Sequence, residues 1–107
     1  MTGLSKKWDA LLLKLQKDIA EDIDLKGVLF LIGVQELQMG IKEFTKEEKQ
    51  DILHLAVCKL LTPCGYFKFE KVDEDGWPHW IELKAIKNLS GKQQDLLIKE
   101  AIIAYFS

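Results

Sequence analysis

Apolar residues recur at Leu4, Trp8, Leu11, Leu12, Leu15, Ile19 and Ile23, with Lys6, Lys7, Asp9, Lys14, Lys17 and Asp18 on the opposite side. Spacing by three and four predicts an amphipathic first helix along this stretch. Asp24 then stands where a cap for the next segment belongs, and residues 27–40 (GVLFLIGVQELQMG) are apolar all round the axis rather than along one stripe. This segment is read as a buried central helix, because Gln35 to Met39 continue the Val28 to Val34 run with good helix formers. A strand over Val28 to Val34 is the competing reading, since short apolar runs fit both periods.

Thr45 followed by Glu48 is a capping-box pair, which predicts a third helix from Lys46 to Leu61, stopped by Pro63. Its core face is Ile52, Leu53, Ala56, Val57, Leu60 and Leu61, with Leu55 on the flank. Ser90 with Gln93 is a second capping box, opening a last helix that carries Leu96, Leu97, Ala101, Ile102, Ala104 and Tyr105.

Residues 66–83 (YFKFEKVDEDGWPHWIEL) read as a β-hairpin. A three-residue loop of Glu74, Asp75 and left-handed Gly76 sets Phe69 against Ile81, Phe67 against Leu83 and Lys68 against Glu82. A slip by one residue sets Lys68 against Ile81 and Phe67 against Glu82, which loses the apolar pairs and the charge pair. The favoured register puts Phe67, Phe69, Ile81 and Leu83 on the helices, because a two-stranded sheet needs such support, and turns Tyr66, Glu70 and Trp80 the other way. The fold class is therefore α+β and mostly helical: three helices, an antiparallel hairpin and a C-terminal helix, as a single domain over residues 1–107. At 107 residues one core suffices, and folding removes about two-thirds of the unfolded chain's surface from water.

Three helices followed by a hairpin is also the element order of a winged helix, so charge decides whether nucleic acid is a partner. All fifteen basic residues are Lys, against seventeen acids. Without Arg the chain lacks the planar fork that grips phosphate and guanine edges. Glu47, Glu48 and Asp51 interrupt the lysines of the third helix, and Asp73, Glu74 and Asp75 make the wing tip repel a phosphate backbone. A degenerate winged helix is kept as the alternative reading.

His54, Cys58, Cys64 and His79 are the candidate soft metal ligands. Only His54 and Cys58 approach the tight spacing of zinc sites, so no metal and no cofactor is expected. Cys58 sits late in its helix, where the dipole disfavours a thiolate, and Cys64 lies just beyond. No GxSxG, HExxH, P-loop or GxGxxG motif occurs, so no catalytic residue is assigned and a metal or thiol enzyme is the second alternative. Glu36 falls in the most apolar helix and is read as marking its emergence into water. Two cysteines, no signal-peptide pattern and no apolar run near the 20 residues that span a bilayer point to a cytoplasmic, non-membrane protein.

The aromatic group Tyr66, Trp77 and Trp80 is the main functional candidate, because such residues on an open hairpin face bury much area at low entropy cost. Beside an acidic tip they predict a protein-interaction or accessory module, self-associating or holding a basic partner, with Tyr66, Trp77 and Trp80 as contacts.

The stretches GVLFLIGVQEL, FTKEEKQDILHLAVCKLL and GYFKFEKVDEDGWPHWIEL together resemble small uncharacterised proteins of Bacteroidetes bacteria. The resemblance covers about three-quarters of the chain. It implies a bacterial cytoplasmic source and carries over no activity, cofactor or binding residue.

Overall fold

Four helices and one hairpin make up the computed structural model, which describes residues 2–37 and 43–106. Helix α1 spans Thr2–Asp18, α2 Leu25–Leu37 and α3 Lys46–Leu61; strands β1 (Phe67–Val72) and β2 (Pro78–Glu82) follow, then a single turn of tighter helix and α4 (Gly91–Tyr105). The order is the one predicted from the sequence.

Local side-chain chemistry sets the helix starts. The Thr45 hydroxyl accepts from the Glu48 amide while the Glu48 carboxylate accepts from the Thr45 amide, and Ser90 and Gln93 repeat the arrangement. Asp24 Oδ1 accepts the Gly27 amide at 2.9 Å and caps α2. Helix α1 is shorter than its apolar spacing predicts: it stops at Asp18, and the Gln16 side chain donates to the Ile23 carbonyl, tying down the turn into α2. Ile19 is left exposed by that turn. Gln38, Met39 and Gly40, read as continuing the second helix, lie outside the described residues.

Helix α2 packs on α3, α3 on α4 and on both strands, and α4 on α1. Val28, Ile32, Ile52, Leu61 and Ile102 are the largest fully enclosed side chains and tie α2, α3 and α4 together. Leu55, placed on the flank of α3, is buried, because the hairpin covers that flank. On α4 the inner face is Ala101 and Ile102 supported by Leu97, Ile98 and Tyr105, whereas Leu96 and Ala104 point outward. Helix α2 buries Val28, Leu29, Ile32, Gly33 and Leu37, but Phe30, Leu31 and Val34 are only half-buried, so one side of the most apolar helix is incompletely covered.

Candidate functional site

The hairpin loop closes as its residues demand. The Asp73 amide donates to Trp77 O at 2.9 Å, Gly76 sits at φ +86°, and its amide donates to Asp73 O at 3.0 Å. Only a residue tolerating positive φ suits that position. Asp73 Oδ1 accepts from the Asp75 and Trp77 amides, and Oδ2 lies 2.7 Å from His79 Nε2. The hydrogen bond from His79, then those from the backbone, hold the Asp73 carboxyl below the usual carboxylate range. The three-residue loop is the predicted one.

Beyond the loop the register differs. Val72 pairs with Pro78 and Lys71 with His79, but the ladder then skips Glu70: Phe69 faces Trp80, Lys68 faces Ile81 and Phe67 faces Glu82. A bulge at Glu70 thus produces the slipped pairing that the alternation of apolar residues disfavoured. Phe67, Phe69 and Trp80 now share a face, with Phe69 and Trp80 edge-to-face at 5.6 Å. Trp80 reaches both clusters of the core, and an aromatic ring of that size buries more apolar surface than the aliphatic chains it displaces. The expected inner face of Phe67, Phe69, Ile81 and Leu83 is corrected accordingly: Phe67 is buried, while Ile81 and Leu83 are about half exposed, and Tyr66, opposite Leu83, packs half-buried against the main cluster.

Of the three aromatic contact candidates, Trp77 and Trp80 are half-buried against the core. Tyr66 is half-buried opposite Leu83, with the Lys84 ammonium 5.4 Å from its ring centre. The residues left open on the hairpin are others: Phe69, Val72, Ile81 and Leu83 are 49%, 57%, 44% and 55% exposed. They are half of the eight large hydrophobic residues exposed among the described residues. Trp80 was the available sequence signal, since turning it inward forces Ile81 out. The bulge that achieves this leaves no mark in the sequence alternation.

The hairpin also forms one wall of a cleft of about 410 Å³ against α3, where Asp51, His54 and Cys58 meet Asp73, Trp77 and His79. The fold therefore brings three of the four soft-ligand candidates to one place, and Cys64, exposed after α3, lies outside its lining. Among the described residues no three His, Cys, Asp or Glu side chains converge closely enough to hold a metal ion. His54 Nε2 is 3.5 Å from Cys58 Sγ, a pair that resembles an activated thiol in outline. Burial, and secondarily the Glu82 carboxylate, pushes the Cys58 thiol up to about 11. At neutral pH it is protonated and a poor nucleophile.

Glu36 neither emerges fully nor is sealed in: its side chain is 26% exposed, accepts the Tyr105 hydroxyl at 2.7 Å and lies 3.6 Å from Lys59 Nζ. This contact fastens the end of α4 to α2. Burial, then the hydrogen bond to Glu36 and its charge, pushes the Tyr105 phenol up to about 12. The neutral phenol's contribution is full below the ordinary value near 10 and is lost as pH rises through about 12. Tyr105→Phe is expected to cost about 1 kcal/mol in urea denaturation at neutral pH, modest because the bond is partly solvated. Glu36→Gln should return the phenol's ultraviolet titration towards 10; a titration unmoved by that change would remove Glu36 as a cause.

Compared with known protein families, curated proteins and solved structures, the chain matches none. Among the described residues no helix is long and apolar enough to cross a membrane.

Proposed function

We propose that this chain is a small protein-interaction module that docks through the outer face of its hairpin. The observation supporting this is the group Ile81 and Leu83, about half exposed beside Tyr66 on a sheet that has two strands among the described residues. Apolar side chains grouped on a hairpin face offer the dry centre of an interface, and the acidic tip of Asp73, Glu74 and Asp75 favours a basic partner surface beside it. Trp77 and Trp80 serve this surface from behind, as the packed support that fixes the hairpin's position on α3. A cytoplasmic location fits Cys64, an exposed free thiol.

Binding to nucleic acid is the weaker reading, because the loop hydrogen bonds hold Asp73 ionised at the tip where a wing would meet phosphate. Thiol catalysis is weakened by the protonated state of Cys58. The double variant Ile81→Lys/Leu83→Lys tests the proposal. Wild-type protein from its own host should give a dimer or a defined complex in native mass spectrometry. The variant should give a bare monomer with stability within about 0.5 kcal/mol of wild type, as befits outward-facing positions. A wild-type monomer without partners, or a complex that the variant retains, defeats the proposal; salt-sensitive retention on heparin by such a monomer favours the nucleic-acid reading.

A further inference from the structure

Helix α2 is apolar on every side, yet α3 covers only part of it. Phe30, Leu31 and Val34, half-buried, form the floor of a trough of about 600 Å³ whose walls are Ile19 and Ile23 of the α1–α2 turn and Phe44 before α3. That volume is in the range of small-molecule sites, and among the described residues its charged lining is Glu43 and Lys49. The trough adjoins a second hollow of about 410 Å³ with which it shares Gly27, Phe30 and Lys49. The second hollow differs in character: Lys26, Lys46 and Lys49 line it, with Asp24, Gln50 and Leu53.

The lysines there are available. Asp24 already accepts the Gly27 amide, and among the described residues none of the three ammonium groups is held in an ion pair. Gly27 lies where the hollows join, and a Cβ there would come within 2.9 Å of Ile23 Cγ1. A side chain at that position would crowd the passage. An apolar trough leading into a group of unpaired cations matches a molecule with an aliphatic tail and a negative head.

We propose that this groove binds a single-chain anionic amphiphile, a medium-chain carboxylate, with its tail over Phe30, Leu31 and Val34 and its head among Lys26, Lys46 and Lys49. Glu43, at the trough's edge, opposes an anion lodged in the apolar half and so favours this orientation over the reverse. Each methylene buried along the trough tightens binding about fourfold.

The test is calorimetric titration with octanoate, decanoate and dodecanoate below their micelle concentrations, with amide NMR shifts to locate the site. Affinity should rise about fourfold per methylene, with shifts at Gly27, Leu31, Val34 and Lys49. The alkyl trimethylammonium of equal length should bind more weakly. Lys46→Gln and Lys49→Gln should each weaken carboxylate binding about two- to fivefold and leave the matching alcohol unaffected. Val34→Trp, which fills the trough, should abolish binding of both. Chain-length independence, equal affinity for the cationic amphiphile, or shifts confined to the crevice of Trp8 and Leu96 between α1 and α4 would overturn the proposal. So would binding to phosphatidylglycerol vesicles without saturable binding of free carboxylate, which would make the lysines a membrane-surface patch.

Discussion

Gly33→Ala is expected to destabilise the protein by about 3 kcal/mol, although alanine is the better helix former by about 1 kcal/mol. Gly33 is buried where α2 crosses α3, and a Cβ there would lie 2.5 Å from both Ile52 Cγ2 and Ile52 O. A side-chain tip can rotate away; a backbone carbonyl inside a helix cannot do so without moving the helix. Relief therefore requires the two helices to separate, which opens the contact around Val28, Ile32 and Ile52. Urea denaturation measures the change. A loss below about 1 kcal/mol would mean that α2 and α3 slide apart freely and that their close approach contributes little. The variant also bears on the amphiphile groove, since the far side of α2 forms its floor: a shifted helix should change ligand affinity without any contact being altered directly.

Trp8→Ala is expected to cost about 3–5 kcal/mol, the range for removing a large aromatic ring from a core. Trp8 is buried, packs into the main cluster and has the Lys99 ammonium 5.5 Å from its ring centre. The contact between α1 and α4 centres on few enclosed side chains of α1, namely Trp8 and Leu15. The loss should therefore be local first: hydrogen exchange should speed up through α1 before the α2–α3 amides respond. Uniform acceleration across all four helices would contradict that order, and a loss under about 1 kcal/mol would show that α1 does not depend on this ring. Against the 5–15 kcal/mol that hold a typical domain together, the change is large enough to unfold a marginal protein.

The elements that were legible in the sequence depend on neighbours within four residues. Thr45 with Glu48, Ser90 with Gln93 and Asp24 with Gly27 set helix starts through bonds that the local chain completes alone. Gly76 and Asp73 specify the hairpin loop in the same way. The two faces of the hairpin were only half legible. Tyr66, Trp77 and Trp80 are legible as an aromatic group on the hairpin, but which side of β2 stays open is not: Ile81 and Leu83 face outward because the bulge at Glu70 exchanges which side of β2 meets the helices. Alternation along one strand cannot reveal that exchange; it depends on how much surface Trp80 buries against α3.

The cleft of His54, Cys58 and His79 follows the same division. Spacing alone places His54 beside Cys58, four residues on along α3. Only the docked hairpin delivers His79 and Asp73 to the opposite wall, and it does so in a pairing that uses Asp73 for the loop and for His79. Glu36 was ambiguous for a related reason, since its partner Tyr105 lies 69 residues away.

By itself the sequence determined the α+β order of elements, the caps that open α2, α3 and α4, the turn at Gly76 and the Lys-only, near-balanced charge, because each is fixed by residue type or by contacts within one turn of chain. Tertiary structure alone decided the register beyond Glu70, the depth of Leu55, the close approach at Gly33 and the half-covered side of α2. Those depend on total surface buried between distant segments, and a hydrophobic residue carries no local mark of which neighbour will cover it.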